Sequence, residues 1–323
     1  MRPLHLIYIV LAASLLGSCI ELPDFENASI VKGPRVLAVI AEPPEINPGQ
    51  NLDLSIMVAG VQDPSEIEVS WRACGSFDGF FGGGAQYGEE QADEGCGGGG
   101  LAFELGEGIT ATLPGLLTAN LFDNLDVIAM TLGSDLPEGV VEQIRSSVGI
   151  AFLVEATVRA EGKLIRATKR VLISENPTPH TNPPPPEYTF GSDQRIITAP
   201  DDPLRCIRDD GEPVTAAADA NVQLAPLGEG SDDDVQDAGM PPEEPWLETY
   251  NIINARGELH ERKERAFYAW YTTAGDLNSG STKSPLRNNL WRVPATAGEY
   301  PLWLIIRDGH GGTSACELTV QVE

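Results

Sequence analysis

A chain of 323 residues with 48 acidic against 21 basic side chains, a net charge of -27 and an isoelectric point near 4.3 is repelled by nucleic acid and by anionic headgroups. Those partner classes are excluded; charged partners are expected to be basic or bridged by divalent cations. The 34 glycines and 25 prolines argue against a helical protein and suit short strands joined by many turns.

The first nineteen residues, MRPLHLIYIVLAASLLGSC, place Arg2 before an apolar run from Leu6 to Leu16 and end on Gly17, Ser18 and Cys19. The run is too short for a membrane span and has the layout of a secretory signal. Leu16-Gly17-Ser18-Cys19 resembles the lipobox of bacterial lipoproteins. The resemblance implies a signal peptide over 1–18, acylation of Cys19 with palmitate-type chains, and membrane attachment through that lipid. Ile20, in place of the Asp linked in that family with inner-membrane retention, implies an outer-membrane address, facing the periplasm or the surface of a Gram-negative bacterium. Residues 19–33 then read as a lipidated tether.

Removing the leader leaves about 305 residues and implies two domains, with one large decorated domain as the alternative. Residues 34–174 are expected to form the first. Val36 to Ile40 is a short apolar strand, and Pro48-Gly49 marks a turn. Leu52, Leu54, Ile56 and Val58 then alternate with Asn51, Asp53, Ser55 and Met57, as a half-buried strand does. Ile67, Val69, Trp71 and Ala73 alternate into Cys74, with Trp71 read as a core tryptophan. Strand, Pro-Gly turn and strand resemble the opening of bacterial immunoglobulin-like domains.

Residues 75–100 hold eleven glycines, with Phe77, Phe80, Phe81 and Tyr87 among them. No phosphate-loop motif frames them, and the expectation is a disulfide-tied surface loop whose aromatics are candidate ligand contacts. Strands are expected from Leu101 and over Val127 to Leu132. One helix follows: Asp135 and Glu138 form a capping box, Val140, Val141, Ile144 and Val148 share a face, and Gly149 closes it. Residues 151–173 form a hairpin about Glu161-Gly162. Its Arg159, Lys163, Arg166, Lys169 and Arg170 make a basic cluster, read as a solvated face or as a dock for the acidic second half.

ENPTPHTNPPPPEY, residues 175–188, reads as a semi-rigid proline linker. His180 within it has no metal-ligand neighbour in sequence and reads as incidental. Residues 187–264 carry 19 acidic against 6 basic side chains, and 228–245 read as a disordered loop. Asp232, Asp233, Asp234 and Asp237 are candidate ligands for a calcium ion at about millimolar affinity, as are Asp201, Asp202, Asp209 and Asp210. Neither set has the EF-hand pattern; otherwise no cofactor is expected.

Residues 189–323 are expected to form the second domain. In RAFYAWYTTAGDL, Phe267, Ala269 and Tyr271 share one strand face, with Tyr268 and Trp270 on the other. Leu302, Leu304 and Ile306 alternate into the turn Asp308 to Gly312, and Ser314, Cys316, Leu318, Val320 and Val322 alternate back. The aromatic strand, the W-x-x-P at Trp291 to Pro294, the G-x-Y at Gly298 to Tyr300 and the D-G-x-G-G hairpin resemble the end of a PKD domain with an acidic insertion. The resemblance implies an extracellular spacer or contact module.

Four cysteines remain after Cys19, and four allow three pairings. Keeping pairs within domains joins Cys74 to Cys96 and Cys206 to Cys316, contributing about 3 and nearly 5 kcal/mol by chain entropy. Asp308 and His310 fit turn chemistry, and no H-E-x-x-H or G-x-S-x-G is present. The fold expected is mainly β, with two immunoglobulin-like β-sandwiches in tandem and one short packed helix in the first. The function expected is a non-catalytic, membrane-anchored envelope lipoprotein that contacts an envelope protein. The alternative is glycan binding, adhesin-like, through the Gly/Phe loop and exposed aromatics.

Overall fold

A computed structural model describes residues 28–74, 96, 102–124, 139–227, 244–253, 258–284 and 286–323. The leader with Cys19, the loop aromatics Phe77, Phe80, Phe81 and Tyr87, the capping pair Asp135 and Glu138, the strand expected over 127–132 and the four aspartates from Asp232 to Asp237 lie outside those residues.

The N-terminal half contains β1 (Arg35–Glu42), β2 (Glu45–Ile46), β3 (Leu52–Ala59), β4 (Glu68–Cys74), β5 (Ala102–Glu107), β6 (Thr110–Leu113), β7 (Ile150–Ala160) and β8 (Lys163–Ile173). Its two sheets run β1-β3-β6 and β2-β8-β7-β4-β5. Their facing sides bury Leu52, Leu54 and Ile56 against Val69, Trp71, Ala73, Phe152, Val154 and Ala156 in one apolar core. This is the alternation expected of half-buried strands, made into a sandwich. Trp71 is fully buried, and its indole N–H donates to the carbonyl of Gly108 at 2.8 Å. The β7–β8 turn has positive φ at both Glu161 (49°) and Gly162 (74°), the backbone of a two-residue I′ hairpin.

The expected helix falls within the described residues from Gly139 onward. Its described part is one α turn, α1 (Val140–Gln143), widening into a π-helical turn over Ile144–Val148. Ser146 Oγ donates back to the carbonyl of Glu142 at 2.7 Å, a bond that bends helices. Gly149 ends the segment at φ 72°, and a Cβ there would sit 2.7 Å from Leu172 Cγ.

The C-terminal half contains β9 (Tyr188–Phe190), β10 (Gln194–Ala199), β11 (Asp202–Arg208), β12 (Val214–Ala216), β13 (Asn221–Pro226), β14 (Thr249–Ile253), β15 (Leu259–Lys263), β16 (Phe267–Thr272), β17 (Asp276–Leu277), β18 (Ser281–Lys283), β19 (Asn289–Arg292), β20 (Gly298–Arg307) and β21 (Thr313–Val322). Except for the separate β14–β15 hairpin, these form one continuous sheet in the order β17-β19-β13-β9-β10-β11-β21-β20-β16-β18, with β12 also on β21. Within it β11 meets β21 in parallel at the single pair Arg205 and Glu317. The fold encloses Tyr188, Trp270, Trp291, Leu304, Leu318 and Val320.

Two expectations are corrected here. The acidic stretch from residue 189 is no insertion up to Pro226, because it supplies β9 to β13. Alternating Val222 and Leu224 turn inward while the charges stay at the rim. Glu244, placed by composition in a disordered loop, is buried: it pairs with Arg287 at 2.9 Å and accepts from the Tyr268 hydroxyl at 2.9 Å. Cys74 is bonded to Cys96, and Cys206 to Cys316.

Candidate functional site: the seam between the two cores

The halves share a third apolar cluster. Val31, Leu37, Ala38, Met57 and Ala59 from one side meet Ala269, Trp303, Ile305 and Ala315 from the other. A β-bulge between Val36 and Ala38 lets Leu37 and Ala38 both reach this side of β1. The segment read as a tether takes part: Thr272 N–H donates to the Ser29 carbonyl at 2.9 Å, and Val31 N–H to the Thr272 carbonyl at 2.8 Å.

The proline stretch read as a spacer is a strap along the same seam. Asn182 donates to the carbonyl of Ala41 at 2.8 Å and accepts from the amide of Thr313 at 2.8 Å, bridging both halves. Ser314 Oγ donates to the Pro184 carbonyl at 3.0 Å. Of the basic cluster on β7 and β8, Lys169 is buried; its ammonium donates to the carbonyl of Gly311 and, at 2.9 Å, to Thr313 Oγ1. For Lys169 the docking alternative therefore holds rather than the solvated face.

At one end of the seam four chain segments bring charge together. His180 comes from the strap. Glu45 comes from β2, fixed by that strand's parallel pairing with Leu172. Glu248 precedes β14 and Glu264 follows β15, so the hairpin register from Thr249–Lys263 to Ile253–Leu259 sets them side by side at its base. Hydrogen bonds at 3.0 Å from Glu264 N–H to the Glu248 carbonyl, and at 2.9 Å from Glu248 N–H to the side-chain Oε2 of Glu264, lock that base.

His180 is buried, correcting its reading as incidental. Its backbone N–H donates to Glu45 Oε2 at 2.7 Å, and its Nε2 faces the same oxygen at 3.8 Å. Nδ1 lies 2.6 Å from Glu248 Oε2 and 3.6 Å from Glu264 Oε1. The nitrogen and the two carboxylate oxygens of this trio all lie within 4.8 Å of one another. Glu248 is held by its other oxygen, which accepts from Thr181 Oγ1 at 2.8 Å. Glu264 Oε1 is buried and has no hydrogen-bond partner.

Behind the trio, Tyr250 stacks on His310 at 3.8 Å between centroids, and His310 meets His180 edge-on at 4.7 Å. Asp308 fills the turn that carries His310. Its Oδ1 accepts from the N–H groups of His310, Gly311 and Gly312 at 2.7, 2.9 and 3.0 Å, the turn chemistry expected of it. Burial dominates the electrostatics. It raises the Glu264 carboxyl to about 8, aided by the charges of Asp308 and Glu248. It raises Asp308 in spite of those three N–H donors and lowers His310 to about 3, the latter aided by His180 and Arg170. Lys169 falls to about 8 because burial outweighs the attraction of Asp308.

The other sequence candidates among the described residues do not assemble in this way. Asp201 pairs with Arg205 at 2.8 Å and Asp210 with Arg208 at 2.6 Å, while Asp202 Oδ1 accepts from Leu204 N–H. Among the described residues, His180, Glu248 and Glu264 are the group that brings three metal-capable ligand atoms together. Their sequence separations of 68 and 16 match no motif, and Glu264 sits in a charged run that reads as solvated.

No protein-family model matches the chain, and no curated protein matches it. Among solved structures, it is similar to Escherichia coli alpha-2-macroglobulin activated by porcine elastase at 12% identity and a TM-score of 0.22. That match covers 90% of this chain and 22% of the other, so the chain spans about a fifth of the macroglobulin's length. It is also similar to the D0-D1 domain of intimin, at 11% identity and a TM-score of 0.20, covering 88% of this chain and 98% of that one. For the two tandem V-type regions of a v-region-containing chitin binding protein the values are 12% and 0.25, covering 90% and 100%.

Proposed function

We propose that the chain is an outer-membrane lipoprotein, anchored through Cys19, whose two immunoglobulin-like sandwiches act as one non-catalytic interaction body in the cell envelope. The seam is the observation that supports this reading most strongly. Nine buried apolar residues and hydrogen bonds from Lys169, Asn182 and Ser314 make the two cores a single body. Three buried carboxylates are spent on holding structure: Glu45 fixes the strap and Glu244 neutralises Arg287, while Glu155 accepts from Arg72 and from the Cys96 amide. Such use favours a scaffold for contacts over acid-base chemistry.

Anchoring at Cys19 fits the docking of residues 29–31 on β16. Nine Cα–Cα steps lead from Cys19 to Ala28, a contour of at most about 32 Å, so the C-terminal sandwich would be held close to the bilayer.

The test is palmitate labelling and cross-linked co-purification of the full chain from membranes of a Gram-negative host. Label on the wild-type chain but not on Cys19→Ala, with an envelope protein recovered in stoichiometric amount, supports the proposal. Absence of label, or membrane retention of unprocessed Cys19→Ala, overturns the anchor. Recovery of polysaccharide alone overturns the protein-contact role in favour of glycan binding.

A further inference from the structure

We propose that His180, Glu248 and Glu264 form a binding site for one divalent transition metal of the zinc class, clasping the β14–β15 hairpin to the strap. The inference stands on the cluster's geometry and does not depend on the lipoprotein reading.

Three observations carry it. First, the donor set is one imidazole nitrogen and two carboxylate oxygens, the mixed ligands zinc takes when a water fills a fourth position. Calcium, which takes six to eight oxygens, finds only two carboxylate oxygens beside a nitrogen in this trio.

Second, the three donor atoms lie close enough to share one ion, all within 4.8 Å of one another. Ligands about 2.0–2.1 Å from a tetrahedral ion stand about 3.3 Å apart. Nδ1 and Glu264 Oε1 are 3.6 Å apart, already near that value. Nδ1 and Glu248 Oε2, at 2.6 Å, must separate by several tenths of an ångström. Glu248 can make that move, because its side chain is one-third exposed on the solvent side of the cluster. The same opening gives the ion a way in.

Third, the surroundings are built as they are around metals. Each ligand carboxylate has one oxygen tied back, Glu248 to Thr181 and Glu264 to the Glu248 amide, leaving the other turned toward Nδ1. Glu45 binds the His180 amide and faces Nε2, the place where a carboxylate orients a ligating histidine. Glu264 Oε1 is left buried without a partner, and its side chain is only 2% exposed. An unmatched buried carboxylate oxygen aimed at an imidazole is what a cation would satisfy.

The experiment is calorimetric titration of zinc chloride into the full chain, purified in detergent and stripped with a chelator. One equivalent should bind with sub-micromolar affinity. His180→Ala and Glu264→Gln should each weaken binding by about tenfold or more. Cobalt in place of zinc should show the strong visible bands of a tetrahedral site, lost in the same variants. Glu248→Gln, at a partly exposed position, keeps the test decisive if a buried variant does not fold, with circular dichroism reporting the fold. The fourfold Asn variant of Asp232, Asp233, Asp234 and Asp237 should keep the site. No saturable zinc uptake overturns the proposal. So does undiminished affinity in folded Glu248→Gln or His180→Ala, or loss of the site with the four aspartates.

Discussion

Gly312 is where one methyl group tests how tightly the seam is made. A Cβ built on it would lie 1.9 Å from Asp308 Oδ2, 3.0 Å from Asp308 Cγ and 2.8 Å from Pro183 Cδ. Its φ lies outside the left-handed region, so Gly312→Ala adds volume without backbone strain. The obstructing group cannot swing away cheaply, because Asp308 is 1% exposed and its Oδ1 holds three backbone N–H groups. Overpacking costs about 1–3 kcal/mol, and loosening one hydrogen bond to a charged acceptor about 1.5–3 kcal/mol. Reduced freedom of the unfolded chain returns about 0.4–1 kcal/mol, so the expected net loss is about 2–4 kcal/mol. Gly33→Ala is the matched control: its Cβ meets only Lys163 Nζ at 2.9 Å, the free end of a flexible side chain. That variant should stay within about 0.5 kcal/mol of wild type. Urea unfolding followed by tryptophan fluorescence measures both. In an Asp308→Ala background the clash with the carboxylate is relieved and only the Pro183 contact remains, so Gly312→Ala should lose less there than alone, a coupling of about 1–3 kcal/mol. A Gly312→Ala loss below about 1 kcal/mol, or full additivity with Asp308→Ala, would refute the packing described at this turn.

The other predictions address the seam from different directions. Trp303→Ala removes the largest apolar side chain of the shared cluster and should lower stability by about 3–5 kcal/mol; in calorimetry the single unfolding peak should split as the halves uncouple. Lys169 has its folded pKa lowered to about 8 from 10.5, so between about pH 8 and 10 the unfolded chain holds a proton that the folded chain has released. Stability should therefore rise with pH across that window. The full rise corresponds to roughly 3 kcal/mol, of which the part below pH 10 is seen. Urea midpoints should show this slope in wild type and lose it in Lys169→Met. Above pH 10, ionisation of the tyrosines in the unfolded chain reverses the slope, because burial keeps Tyr188 and Tyr268 protonated in the fold. Cys206→Ser with Cys316→Ser opens a closure spanning 110 residues and should reduce stability by about 4–5 kcal/mol. Reductant should give a larger shift in wild type, because it also opens Cys74–Cys96, and in that variant should give only the part due to Cys74–Cys96.

Local structure was the most legible layer. The β7–β8 hairpin follows its sequence pattern closely, since alternation and a Glu-Gly pair with positive φ at both positions are local facts. The cysteine pairs followed from counting within halves. The polar cluster was not legible. Its partners are separated by 135 residues between Glu45 and His180 and by 68 between His180 and Glu248, and no periodicity spans such gaps. Composition also misled: a proline run reads as a spacer and an acidic run as solvent-exposed, yet Asn182 is bound on both sides and Glu244 is buried.

The seam itself did leave a trace. A strand with one face in the core and one in water alternates; a strand buried on both faces reads as an unbroken apolar run. In β20, Leu302, Leu304 and Ile306 do alternate, and they fill the C-terminal core. The residues between them are Trp303 and Ile305, which are equally buried and face the N-terminal half. Ala269, between Tyr268 and Trp270 on β16, and Ala315, before Cys316 on β21, continue that second face across three neighbouring strands. Small residues on the flanking strands leave room for one tryptophan at the centre, as two close-packed sheets require. The same logic works from the other side, where Leu37 and Ala38 on β1, with Met57 and Ala59 on β3, are apolar opposite positions already committed to the N-terminal core. Apolar side chains on both faces of five strands predict a second buried surface. That surface joins two halves that composition alone would have left as separate beads on a proline linker.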